Sequence, residues 1–277
     1  MVSMIDNVIQ KSQIYYTRLS KWKGKVDLDI RVGPYVLQVA STQKQVLECF
    51  KLRHQVFCVE MAANPKPSRL DFDQYDNFCD HLIITHEPTG KIVGTYRLNY
   101  SGTAEEFYTQ SEFDMMDWVA EQNAPFIELG RACIEKGHRR GAVITLLFRG
   151  IMEYMKAMKA EKLFGCSSLM VTDARSAALV YKYFEAKGLL ADRVVRPHNS
   201  YEMKDLFFWL LVFSKGLTDE QMSEAEEKIP SLLNVYLKAG AKVASYPAYD
   251  EDFKCIDFVT ILDQADMDIK HAKKFSQ

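Results

Sequence analysis

Nothing constrains this chain more than the stretch Phe126-Ile127-Glu128-Leu129-Gly130-Arg131-Ala132-Cys133-Ile134, where a carboxylate and a guanidinium stand three residues apart in an otherwise apolar run. An ionised group inside a strand needs a counter-charge, hydrogen bonds or a polar cleft, so the segment reads as a buried strand that carries a site. Directly after it, Lys136-Gly137-His138-Arg139-Arg140-Gly141 is a basic, glycine-bearing turn, and a largely apolar helical run opens at Ala142. Free N–H groups and the helix dipole both favour an anion, so a strand, a cationic turn and a helix N-terminus make a phosphate-type site. A core strand with one internal ion pair would leave the turn unexplained.

The flanking pattern extends this unit in both directions. Residues 35–40 read as a strand, and Thr42-x-x-Gln45 is a capping box that opens a helix through about residue 60. Val46, Phe50, Arg53 and Phe57 share one face of it, so an arginine interrupts an apolar stripe; snorkelling to the helix edge is the ordinary explanation. In the run from Asp71 to Asp80, four acids alternate with Phe72, Tyr75 and Phe78, and the aromatics argue that the loop is held against the body. Strands at 81–85 and 92–98 join around Pro88-Thr89-Gly90, with Arg97 closing the second. A loop-rich region at 101–124 has helical character near 113–121; after the helix at 142–160 come a strand at 163–170 and a helix capped by Thr172 or Asp173 and ended by Gly188. The order β-α-β-β-β-α-β-α predicts a mixed α/β arrangement around one sheet. Further on, a helix at 232–239, strands at 241–245 and 255–262 and a helical tail from 263 are expected.

No linker-like tract or internal repeat divides the 277 residues, so the expected organisation is an arm over 1–33, with a helix at 9–19, and one domain over 34–277 with a C-terminal extension. A net charge of −2 leaves no strong nucleic-acid footprint, although positive charge gathers around 11–25 and 136–149. Six cysteines without a C-x-x-C pair read as buried thiols of a reducing compartment, and the polar N-terminus as a cytoplasmic address. The apolar run at 206–213 is too short for the roughly 20 residues of a membrane span. It reads as a buried strand or core helix, with surface contact to a membrane as the alternative. The motifs of P-loop, Rossmann and serine-hydrolase enzymes are missing, as is the His-x-x-x-x-Asp dyad of glycerolipid acyltransferases. No histidine has zinc-type spacing with a cysteine, so no metal is expected. Cys133, in an apolar strand with no sequence-local base, reads as an inert core thiol.

The element order with its phosphate-type turn resembles the GNAT superfamily of N-acyltransferases, which implies an α/β fold with a mixed, mostly antiparallel central sheet flanked by helices. More narrowly, Arg53-x-x-x-Phe57, Asp73-x-x-Asp76, Gly94-Thr95-Tyr96-Arg97-Leu98, Glu128-Leu129-Gly130-Arg131 and Pro230-x-Leu232-Leu233-x-x-Tyr236-Leu237-x-x-Gly240-Ala241 resemble the ornithine-lipid synthase branch, also called hemolysin-like or N-acyl amino acid synthase, over roughly 35–262. The first four also resemble acyl-homoserine-lactone synthases, but the tryptophan expected shortly after Phe57 is missing and the C-terminal motifs favour the lipid branch. Coenzyme A-using GNAT enzymes carry [Gln/Arg]-x-x-Gly-x-[Gly/Ala]; here the hexad is His138-Arg139-Arg140-Gly141-Ala142-Val143, whose cradle is partly filled. A carrier-bound phosphopantetheine, with one phosphate and no nucleotide, needs less of that cradle.

The resemblance implies transfer of a fatty, 3-hydroxylated acyl group from acyl carrier protein to the α-amine of an amino acid, ornithine first. No cofactor would be bound permanently; the acyl-carrier thioester is a co-substrate. It implies Glu128 as base, with Arg131 beside it. Arg97 and Arg131 would orient Glu128 and the acidic loop of Asp73 and Asp76 or bind the acceptor carboxylate, and Arg53 would oppose the same acids. Phe57 would shape the acyl tunnel, backbone N–H groups near Cys133 and Ile134 would polarise the thioester carbonyl, and His138, Arg139, Arg140, Gly141 and Ala142 would meet the phosphopantetheine and its carrier. Two rivals stay open: another N-acyl amino acid or acyl-homoserine-lactone synthase, and a non-catalytic carrier- or membrane-binding module.

Overall fold

A turn through Gly33, whose φ of +55° glycine adopts without a Cβ clash, folds Asp29–Val32 (β1) back on Tyr35–Val39 (β2). Residues 29–32, grouped with the arm on their polar composition, are thus a strand whose mostly exposed side chains befit a sheet edge. The computed structural model describes residue 19 and residues 22–64, 66–139 and 141–267; the helix expected at 9–19 lies, Leu19 apart, outside them. Two units are distinguished, Met1–Asn99 with Arg131–Met158, and Tyr100–Gly130 with Lys159–Gln277. The further strands are Asp80–His86 (β3), Lys91–Tyr100 (β4), Phe126–Ile134 (β5), Lys162–Leu169 (β6), Leu190–Val195 (β7), Lys242–Ser245 (β8), Ala248–Asp250 (β9) and Cys255–Asp263 (β10). The α-helices are Gln43–His54 (α1), Thr109–Glu112 (α2), Met116–Ala120 (α3), Ala142–Ala157 (α4), Ala174–Ala186 (α5), Leu206–Val212 (α6), Asp219–Lys228 (α7) and Ser231–Lys238 (α8).

In the first unit β1 to β4 are antiparallel neighbours, and α1 and α4 cover opposite faces. Alternation along β3 makes this visible. Ile83 packs with Phe50 of α1, and His81 meets the same ring edge-on, whereas Asp80 accepts a hydrogen bond from Tyr154 of α4. Gly150 lets α4 lie on β2, since a Cβ there would run into Leu37. The capping box forms as read, with Gln45 N–H donating to Thr42 Oγ1 and Thr42 N–H to Gln45 Oε1. The helix then continues as a π-helical turn over Gln55–Glu60.

In the second unit β5 pairs parallel with β6, β6 antiparallel with β10, β10 antiparallel with β8 and β9, and β8 parallel with β7. Gly165 is required here, because a Cβ would strike the Leu129 carbonyl oxygen. One sheet face, through Leu169, Ile256 and Phe258, receives α5 and its neighbours; the other, through Phe126, Phe164 and Val259, receives Phe107, Phe113 and Met115. The helix expected near 113–121 is present as the short α3, and a further short helix, α2, precedes it across a fully buried, extended Phe113. Asp173 does cap α5, accepting from Ser176 N–H. The helical tail is one 3-10 turn, Gln264–Asp266, and beyond 267 it lies outside the described residues.

One expectation fails in an informative way. The run at 206–213 is helical but buried on one side only: Phe213 is in the core, while α6 exposes Phe207, Phe208, Leu211 and Val212. The sequence gives α6 two apolar faces, and its unit packs against only one of them. No described helix is long and apolar enough to cross a membrane.

Candidate active site

Arg53 does not snorkel. It is fully buried, its Nε donating to Asp71 Oδ2 at 2.8 Å and its two Nη groups to the oxygens of Asp76 at 2.8 and 3.1 Å. Arg97 Nη1 donates to Asp73 Oδ1 at 2.6 Å, Arg131 Nη2 to Asp73 Oδ2 at 2.9 Å, and Lys66 Nζ to Asp71 Oδ1 at 2.6 Å. Such bidentate, charge-assisted bonds are what let buried ions persist. Asp73 and Asp76 are further organised as a capping box on the turn Gln74–Asn77, while Tyr75 lies beneath the Arg97 guanidinium. Burial alone would push these carboxyls up; the surrounding guanidiniums more than offset it and hold Asp71, Asp73 and Asp76 below the usual carboxylate range. Beside them His81, stacked on Trp22 and with no ring-nitrogen hydrogen bond among the described residues, is driven down to about 3 by burial, which Asp76 only partly opposes.

Arg131 reaches this network from a strained backbone. Its φ is +51° in β5, a conformation that non-glycine residues adopt at a cost of order 1–3 kcal/mol. Strain of that kind at a charged strand position marks a place where aim matters more than regular pairing.

Three residues earlier on the same strand, Glu128 is 3% exposed. Its Oε2 accepts from Tyr108 N–H at 3.0 Å, and its Oε1 from Thr109 N–H at 2.6 Å and Thr109 Oγ1 at 2.8 Å, so the carboxylate anchors the start of α2. Further acids gather around it. Cys166 Sγ lies 3.8 Å from Thr109 Oγ1 and 3.6 Å from Glu112 Oε2, and Tyr108 OH donates to Asp250 Oδ2 at 3.3 Å. Burial, then the charges of Glu112, Asp257 and Glu128, push the Cys166 thiol well up; burial, then Asp257 and Asp250, do the same to Cys255. Asp250, Cys255 and Asp257 bring one potential ligand atom each within 4.8 Å of one another, but Asp250 Oδ1 already accepts from the N–H groups of Asp252 and Phe253. The buried charged residues described in this unit, Glu112, Glu128, Asp250 and Asp257, are all acids.

The acetyltransferase (GNAT) domain family matches residues 52–149, a segment that contains every site residue expected from the sequence. The chain carries a GNAT domain. Among curated relatives, the L-ornithine N(alpha)-acyltransferase of Rhodobacter capsulatus is 26% identical over 88% of this chain and 95% of its own, and that of Brucella abortus 29% identical over 84% and 85%. Among solved structures, FeeM, an N-acyl amino acid synthase from uncultured soil microbes, aligns at 7% identity and a TM-score of 0.49 over 85% of this chain and 95% of that chain.

In this GNAT domain the turn before α4 keeps its anion-ready helix start: Gly141 has φ +66°, a Cβ on it would meet nothing within 4 Å, and no side chain caps the helix. Its basic residues are more committed than their spacing suggests. His138 Nδ1 lies 2.9 Å from Tyr35 OH and its Nε2 3.6 Å from Glu135, while Arg139 donates to the Ile134 carbonyl at 2.9 Å and pairs with Glu60. Arg140 lies outside the described residues. Cys133 packs with Leu52, Val56 and Phe57, its thiol pushed far up by burial, and Ile134 is half-buried.

Arg53, Asp73, Asp76, Arg97 and Arg131, scattered over about eighty positions, are thus brought into one network. Asp71, the first acid of the aromatic-interleaved run, and Lys66, which carries no signal in the sequence, belong to it as well. Tyr108, Thr109, Glu112, Cys166, Asp250 and Asp257 carried no local signal, being joined to Glu128 only by folding.

Proposed function

We propose that this protein is an acyl-carrier-protein-dependent N-acyltransferase that moves a fatty, 3-hydroxylated acyl group to the α-amine of ornithine. The observation that carries the reading is the name L-ornithine N(alpha)-acyltransferase shared by four curated relatives, each matched over 84% or more of this chain. The buried acids support it. Ornithine brings an α-amine and a side-chain ammonium, and Glu112, Glu128, Asp250 and Asp257 are buried acids of one unit, a negative lining that suits an ammonium.

In the reaction the amine nitrogen attacks the thioester carbonyl carbon, the C–N bond forms, the C–S bond breaks and the pantetheine sulfur leaves to take up a proton. No acyl-enzyme and no permanently bound cofactor are needed. The α-ammonium must first lose a proton, and Glu128 receives it; with both oxygens already accepting, relay through a water suits its geometry, and such base catalysis is worth about 10²–10⁴-fold. Backbone N–H groups at 132–134 polarise the carbonyl. Phe57, in the apolar cluster with Leu52, Val56 and Cys133, borders the acyl chain. The start of α4 takes the single phosphate of phosphopantetheine, with Lys136 and Arg149 toward the acidic carrier. Arg97 and Arg131, fixed through Asp73, set the acidic loop or take the acceptor carboxylate. The place of action is the cytoplasm, in peripheral contact with the inner membrane face.

The test is product mass spectrometry with purified protein, ornithine, and either acyl carrier protein or coenzyme A as the acyl donor. N-acyl ornithine made far better from the carrier is expected. Equal use of both donors would remove the carrier; an acyl-homoserine lactone as product would replace the acceptor; no donor consumed with any amine would leave a non-catalytic module.

A further inference from the structure

We infer that the outward face of α6 docks on a lipid bilayer surface. Phe207, Phe208, Leu211 and Val212 are 73, 58, 55 and 49% exposed, and their spacing sets them on one side of the helix. Leu206, Trp209 and Leu210 lie on the other side and pack, with buried Phe213, against the α5 cluster. The helix is therefore fastened by one apolar face while it presents a second to solvent. Two backbone reversals hold it as a stub: Asp205 at its start has φ +63°, and Gly216 just beyond it has φ +101°.

The size and chemistry of this face select the occupant. Taking 150–250 Å² for each large side chain, the exposed apolar area is roughly 450 Å², about half of what each partner gives to a standard protein interface. It is thus small for a second copy of the chain but ample for insertion to the depth of the headgroup boundary, about 5–10 Å, where Phe, Leu and Trp are favoured. No charge interrupts residues 206–213, while exposed Lys204 and Lys215 stand at either end, where lipid phosphates would lie. An acidic carrier protein would call for cations across the face itself. The choice of lipid rests on the acyl-transfer reading, since an N-acylated amino acid is an amphiphile that must pass into a bilayer.

Sedimentation of the full chain with phosphatidylcholine–phosphatidylglycerol vesicles tests this without turnover, so its failure leaves acyl transfer standing. Wild type should sediment and remain bound at high salt, because insertion is mainly apolar. F207S/F208S should lower partitioning about tenfold or more with an unchanged melting temperature, as befits side chains that project outward. Lys204→Glu with Lys215→Glu should weaken binding by a smaller factor, and at low salt only. Absence of vesicle binding, binding indifferent to F207S/F208S, or a concentration-dependent dimer dissolved by that variant in place of vesicle binding would each overturn the inference.

Discussion

In the first unit four cations, Arg53, Lys66, Arg97 and Arg131, surround three carboxylates, Asp71, Asp73 and Asp76, and nearly every bond is short and charge-assisted. In the second, the buried charges among the described residues are carboxylates alone. Those charge-assisted bonds tie an acidic loop to α1, β4 and β5. In the second unit Glu128 and Asp250 are held by backbone N–H and hydroxyl groups, from Tyr108, Thr109, Asp252 and Phe253. The contrast is between acids tied by cations and acids tied by neutral hydrogen-bond donors, although both are hidden from solvent.

The largest test breaks the architectural side. Asp76→Asn removes the charge that chelates Arg53 inside the protein and leaves the buried guanidinium with Asp71 alone, which should lower stability by about 3–5 kcal/mol, read as a fall in the urea midpoint. A loss under about 1 kcal/mol would mean that the network tolerates imbalance and that the contrast with the second unit is false. The next test works on the other side. Glu128→Gln should lower turnover about 10²-fold or more, measured by release of the carrier thiol, and cost about 1–3 kcal/mol of stability for the hydrogen bond an amide cannot accept. Near-wild-type turnover would return Glu128 to the role of anchor for α2.

The smallest effect sharpens the comparison through pH. His81 titrates at about 3 when folded and near 6.5 when unfolded, so between these values the unfolded chain binds the extra proton. Stability then rises with pH and is complete above about 6.5; at pH 5 the deficit is about 2 kcal/mol. His81→Phe should flatten this slope between pH 4 and 6.5. The depressed carboxyls of Asp71, Asp73 and Asp76 act lower, their contribution lost only as pH falls below about 4. A wild-type slope that persists in His81→Phe would show that another group carries it.

How much of this was legible follows from how local each signal is. The capping box at Thr42 and Gln45, the hairpin around Gly90 and the strand-turn-helix from Phe126 to Ala142 depend on neighbours within a few residues, and folding kept them. Asp29–Val32 was missed because an exposed edge strand has no apolar alternation to betray it. The short α2 went unread because only the burial of Phe113 in the second core separates it from α3.

The sequence by itself determined the element order, the GNAT-type turn and the residue types that carry charge into apolar segments, because periodicity and capping are written in short stretches of chain. Only the tertiary structure decided which partners those charges meet. Arg53 could have snorkelled, and it was the approach of Asp71 and Asp76, 18 and 23 residues away, that kept it inside. Glu112, Asp250 and Asp257 reach the surroundings of Glu128 only because β9, β10 and α2 meet there, and α6 reveals its second apolar face only once the first is packed. Compensation and exposure are properties of what stands opposite a side chain in space, and a linear spacing records no such partner.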